Sequence, residues 1–141
     1  LDRSLYWIQL ASRFGYRHMS ASFVAMVSAI EALTEPHSGH NAQCSVCGGT
    51  FVHRVPGPTE AFRSLLDTYA PAPEMNARRT QMYALRSGLV HGNGLMELDS
   101  ERHSVWDPAK YQQTELWSEL FGVTRTAVRN WLLDPVHGSA S

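Results

Sequence analysis

The sequence predicts an all-α bundle of four or five helices, with one irregular insertion between the second and third helices. Three observations carry that expectation. Apolar residues recur at three- and four-residue steps in successive stretches, glycine and proline punctuate the stretches at their ends, and no segment longer than a few residues alternates with the two-residue period of a strand.

The first helix is read from Asp2 to about Phe14, with Leu5, Trp7, Ile8 and Ala11 at helical spacings and Gly15 as its stop. The second runs from about Ser20 to Leu33, where Phe23, Met26, Val27, Ile30 and Leu33 form one apolar stripe. Ala21, Ala25, Ala29 and Ala32 permit close packing along its flank. Residues from about 35 to 58 break the pattern and form the insertion. A third helix opens near Thr59, faces Phe62, Leu65, Leu66 and Tyr69 inward, and ends at the Ala-Pro-Ala-Pro segment. The fourth extends from about Pro73 to Val90 over Met75, Met82, Leu85 and Leu89, and Gly92-Asn93-Gly94 stops it. Residues 95–106 fit an extended piece, a loop or a helical turn equally well. Asp107-Pro108 is an N-cap followed by proline at the first helical position, and opens a last helix to about Leu133. Its stripe is Leu116, Trp117, Leu120, Phe121, Val128, Trp131 and Leu132.

The 141 residues fit a single domain spanning 1–141 with one core. An apolar content of 43% with 18% charged residues excludes a disordered tail or a fibrous repeat. No apolar run approaches the ~20 residues of a membrane span, and no secretory signal pattern is present. A formal net charge of −1 means that any contact with nucleic acid must rest on a local patch. The basic residues are arginines apart from Lys110, which suits bidentate grip on carboxylate or phosphate. The chain begins at Leu1, which points to a domain or fragment of a longer parent protein with further domains.

Cys44 and Cys47 are the only cysteines, too few for the disulfide framework of a small secreted domain, and we place the protein in the cytoplasm on that ground. The pattern His40-x3-Cys44-x2-Cys47-x5-His53 supplies two thiolates and two imidazoles at spacings that a tetrahedral zinc ion accepts, with His37 as an alternative ligand. A structural zinc would order the insertion, replacing a core it lacks. A loop with two free thiols and a redox C-x-x-C pair are the other readings. The redox reading lacks its usual strand-to-helix setting.

The segment YALRSGLVHGNG holds Arg86 and His91 in an R-x4-H spacing at the end of the fourth helix. A second match, Arg13 to His18, crosses the break at Gly15, so the spacing alone discriminates little. Context favours the first, because His91 falls at a helix C-terminus whose dipole favours a cationic side chain. Five residues turn an ideal helix by about 140°, so the two side chains meet best in a cleft shared with a second copy, which predicts a homodimer. Glu31 lies on the helix that packs against the motif and either orients Arg86 or His91 or simply pairs with Arg86 to close the bundle. Arg78 and Arg79 precede Arg86 on the same helix and either track a phosphate backbone or form a solvated face beside Glu74. Of the four tryptophans, Trp106 lies in a loop and is the candidate for base stacking.

The two helices that end in FVAMVSAIEAL and LRSGLVHGNG resemble the HEPN superfamily, and within it the Apea-like branch. The likeness extends from the first helix to the last. It implies an all-α, dimeric domain, and for many members a metal-independent endoribonuclease of a defence or toxin-like system that acts on RNA. Other members are non-catalytic modules that bind RNA, nucleotide or a partner protein. Carried over, Arg86 and His91 are the catalytic pair with Glu31 beside them, and Ser87, Asn93, Arg78 and Arg79 are candidate RNA contacts. Where many relatives have Asn, Asp or His after the arginine, this chain has the shorter Ser87. The chemistry asked of such a site is transfer of a proton from the 2′-hydroxyl, protonation of the leaving 5′-oxygen and stabilisation of charge on phosphorus.

Overall fold

The computed structural model describes residues 1–34, 41–43, 46–52, 57–100 and 108–138. Its helices are α1 (Asp2–Phe14), α2 (Met19–Glu31), α3 (Pro58–Tyr69), α4 (Asn76–Val90), α5 (Pro108–Leu133) and the single turn α6 (Pro135–Gly138). They form an all-helical bundle in which α2 is central, packing on α1, α3, α4 and α5. None of the described helices is long and apolar enough to cross a membrane.

α1 and α2 form an antiparallel pair joined by a tight 3-10 turn, Gly15–His18, entered through Gly15 at φ 47°, a conformation that a side chain would strain. Two buried serines fix the pair. Ser4 Oγ donates to the Ala29 carbonyl at 2.8 Å and Ser22 Oγ to the Ala11 carbonyl at 3.0 Å. Periodicity places Leu5 inward. Ser4 is instead 0% exposed and Leu5 39%, because a small hydroxyl with a backbone acceptor lets the helices approach more closely than leucine would. Phe23, Met26, Val27 and Ile30 of α2 meet Phe62 and Leu66 of α3, Met82 of α4, and Leu116, Trp117, Leu120 and Val128 of α5 in one core.

α3 opens with Pro58 at its first position, where the missing N–H costs nothing. A short 3-10 turn, Pro73–Met75, leads into α4. The predicted start of the fourth helix at Pro73 therefore belongs to that turn. The insertion contains a two-stranded antiparallel hairpin, β1 (Asn41–Gln43) and β2 (Thr50–Val52), in the register Asn41 to Val52 and Gln43 to Thr50. Strands of three residues are too short to be seen as alternation in a sequence.

The stretch after α4, ambiguous in sequence, is settled as far as residue 100. Met96 is fully buried, and its N–H donates to Ser20 Oγ at 2.8 Å. Asp99 accepts from the N–H groups of Met19, at 2.8 Å, and Ser20. A carboxylate from 80 residues away thus caps the N-terminus of α2, where the helix dipole favours negative charge.

Candidate functional site

The site is built on the carboxyl end of α4, which runs antiparallel to α2. α4 stops by a glycine device. His91 is the last residue near helical geometry, Gly92 takes φ +74°, and two hydrogen bonds close the end, Asn93 N–H to the Gly88 carbonyl at 2.9 Å and Gly92 N–H to Leu89 at 3.3 Å. His91 is therefore held at a defined position at its backbone while its side chain is exposed. Its imidazole has no hydrogen-bond partner among the described residues. Asn93 is also exposed, and Ser87 is half-buried one turn before His91.

Arg86 lies against the last residue of α2. Its Nη2 donates to Glu31 Oε2 at 2.8 Å, while the other carboxylate oxygen accepts from the Tyr83 hydroxyl at 2.9 Å. The guanidinium also lies over the Tyr83 ring, 5.7 Å from its centroid. Arg86 and Glu31 are 23% and 24% exposed, so the pair is neither sealed nor freely solvated. Arg86 Nε is buried with no hydrogen-bond partner, and the single bond to Glu31 leaves the guanidinium with further N–H donors for an anion. Burial holds the Tyr83 phenol above its ordinary value, aided by the hydrogen bond and charge of Glu31 and opposed by Arg86. Tyr83 is thus a neutral donor that fixes Glu31, and Glu31 fixes Arg86. Beside the α4 end, a groove of about 410 Å³ runs between Trp7 and Phe14 of α1, Val24 of α2, and Leu89, Val90 and Leu95. Val90 and Leu95, which flank His91 in sequence, are exposed along it.

The other expected contacts are distributed differently. Arg79 is fully buried, its guanidinium donating to Asp67 and to the Ala70 carbonyl. Arg78 forks onto Glu119 with two bonds of 2.9 Å, and Glu115 lies 3.7 Å away. Arg79, being buried, fits neither the phosphate track nor the solvated face expected of it, while Arg78 stays partly exposed against two carboxylates of α5. Consecutive residues diverge by about 100° on a helix, so Arg78 turns to α5 while Arg79 points into the bundle. Arg86, two turns beyond Arg79, shares that inward face but is 23% exposed where Arg79 is fully buried.

Of the proposed zinc ligands, His40, Cys44 and His53 lie outside the described residues, as do the alternative His37 and the stacking candidate Trp106. Cys47 is described and exposed in the turn between β1 and β2, with a Cβ on Gly49 falling 3.4 Å from its Sγ. Among the described residues no three His, Cys, Asp or Glu side chains cluster as a metal site.

Sequence reasoning misses Tyr83 and Asp99. Tyr83 stands three residues before Arg86, a spacing at which helical side chains meet, so its signal is present. Asp99 carries none, since its partners lie at the far end of the chain. No protein-family model matches the chain, and no curated protein or solved structure matches it.

Proposed function

We propose that the chain is a metal-independent endoribonuclease domain, acting as a homodimer in which Arg86 and His91 of two copies form one site for single-stranded RNA. The observation that carries this reading is the pairing, at one helix end, of a partly exposed Arg86 gripped from behind by Glu31 with a fully presented His91. In such a site one His91 takes the proton of a 2′-hydroxyl, whose oxygen attacks the adjacent phosphorus. The bond from phosphorus to the 5′-oxygen breaks, and the other copy's protonated His91 delivers a proton to that oxygen. The products are a 2′,3′-cyclic phosphate and a 5′-hydroxyl. Arg86, permanently cationic, stabilises the charge that develops on the phosphate oxygens. The apolar groove beside His91 is the surface on which the second copy would lie. The reading extends to a defence or toxin-like effector that acts in the cytoplasm.

The test is cleavage of a single-stranded RNA in EDTA. His91→Ala should lower the rate by about a hundred- to ten-thousand-fold, the usual worth of proton transfer. Arg86→Ala should lower it by about a hundred- to a thousand-fold. DNA of the same sequence should stay intact. A wild-type chain that cuts no RNA, or a His91→Ala variant that cuts as fast as wild type, sinks the proposal. The second reading, a non-catalytic module binding RNA, nucleotide or a partner protein, is favoured by one observation. Glu31 already supplies Arg86 with a counter-charge inside the chain.

The proposed zinc staple belongs to the same reading as a structural device, with Cys44, Cys47, His40 and His53 as ligands. Its support is the placement of Cys47 in a glycine-rich hairpin turn. Protein purified under reducing, chelator-free conditions should carry about one zinc per chain and lose it in Cys47→Ser. Metal-free protein would refute it.

A further inference from the structure

The turn between α1 and α2 carries a second concentration of chemistry that the proposed active site does not use. Arg13, Tyr16, Arg17 and His18 are all exposed within six residues of one another. The three basic side chains have no carboxylate partner among the described residues, in a chain whose net charge is −1. Asp99, whose carboxylate accepts from the N-terminus of α2 next to this turn, makes no ion pair with any of the three.

Tyr16 differs from an ordinary surface tyrosine. It is 62% exposed, yet its ring centroid lies 4.4 Å from that of Trp117, with the two planes tilted by 42°. Trp117 is immobilised in turn: its Nε1 donates to Ser22 Oγ at 3.1 Å, and Phe121 stacks on it at 5.5 Å. The guanidinium of Arg125 lies 5.7 Å over Phe121 and closes the row. A largely exposed aromatic ring resting against a fixed aromatic row, with an arginine on either side in sequence that makes no ion pair among the described residues, suits a ligand of alternating flat rings and anions. That is the chemistry of a single-stranded polynucleotide. The turn also adjoins the proposed site, because Phe14, in edge contact with His18 at 6.0 Å, lines the groove that ends at Leu89 and Val90.

We propose that this turn is a docking platform for single-stranded RNA, with a base stacked on Tyr16 and phosphates held by Arg13 and Arg17. The choice of RNA over single-stranded DNA rests on the proposed ribonuclease activity; the platform itself contains neither Arg86 nor His91.

The experiment measures binding of a labelled 2′-O-methyl RNA 12-mer, which cannot be cleaved, to the full chain across a salt series. Tyr16→Ala should weaken binding by about tenfold or more, and Tyr16→Phe should restore it, since the ring and not the hydroxyl is used. The Arg13→Gln/Arg17→Gln double variant should weaken binding and flatten the plot of log affinity against log salt by roughly 1.4, the share of two phosphate contacts on a single strand. Circular dichroism confirms that each variant is folded. Absence of wild-type binding, full affinity in folded Tyr16→Ala, an unchanged salt slope in the double variant, or oligoglutamate bound as tightly as RNA each overturns the platform. RNA bound through Tyr16 but never cleaved leaves the platform standing and removes the ribonuclease. Cleavage with a KM unmoved by Tyr16→Ala does the reverse. A DNA 12-mer bound as tightly as RNA supports the stacking and phosphate contacts and assigns the choice of RNA to the catalytic step alone.

Discussion

Arg79 and Arg86 are the same residue type on the same face of α4, two turns apart, and each meets one carboxylate from a neighbouring helix. At the amino end Arg79 is 0% exposed and divides its donors between Asp67 and the Ala70 carbonyl. At the carboxyl end Arg86 is 23% exposed and makes one bond to Glu31. The difference lies in what surrounds the pair. The α3–α4 connection supplies the Ala70 carbonyl to Arg79, whereas α4 ends shortly after Arg86 and leaves it partly exposed. A cation shut away from water, as Arg79 is even though its counter-charge reaches the surface, is committed to the fold. A cation held on one side retains capacity for a ligand.

The sharpest way to break this comparison is to remove each acid in turn. Asp67 is 54% exposed and is itself easily spared by water, but its loss strands a buried guanidinium. Asp67→Ala should cost about 1–3 kcal/mol of stability, the range for leaving a buried donor short of a partner, because Arg79 keeps its bond to the Ala70 carbonyl. Denaturant midpoints at constant m-value measure it. If Asp67→Ala melts like wild type, Arg79 is hydrated and the contrast between the two ends of α4 is lost.

The matching change at the open end should be milder. Glu31→Ala exposes Arg86 to water that already reaches it, so the loss should be about 1 kcal/mol or less. Under the proposed function this variant should still lower RNA cleavage, because Arg86 loses the contact that aims it. A stability loss as large as that of Asp67→Ala would assign Glu31 and Arg86 to the fold instead.

Much of this fold is legible in the amino-acid sequence. Stripes of Phe23, Met26, Val27 and Ile30, or of Leu116, Trp117, Leu120 and Val128, are dictated by burial at helical period, and they appear in the core as read. Gly15 and Gly92 end helices where the sequence places their stops. Arg86 and Glu31, both candidates from the sequence pattern, do meet. What escapes shares one physical cause. Arg79 looks polar to any periodicity argument, and only the folded position of Asp67 and Ala70 makes its burial tolerable. Ser4 displaces Leu5 because of a carbonyl on another helix. Asp99 caps a helix whose start it cannot announce from so far along the chain. Long-range polar pairs override local pattern, and local pattern holds no record of them.

The smallest effect concerns Tyr83, the residue that ties Glu31 from its other side. Its phenol titrates above the ordinary 10.0, chiefly through burial and then through Glu31. The protonated form is therefore the one that the fold prefers. A raised acid of this kind contributes stability that is fully present below about pH 10 and lost as pH rises through the folded value. Tyr83→Phe removes the bond to Glu31 and should cost about 0.5–1.5 kcal/mol near neutrality. It also removes the alkaline penalty. Tyr69 and Tyr111 are raised as well, but both remain in the variant and cancel in the difference. The gap in stability between wild type and Tyr83→Phe should thus narrow steadily as pH climbs past 10, measured by urea melts at successive pH values. A gap that stays constant to pH 11 would mean that the phenol ionises alike in the folded and unfolded chain. The Tyr83 hydroxyl would then hold Glu31 too weakly to place Arg86.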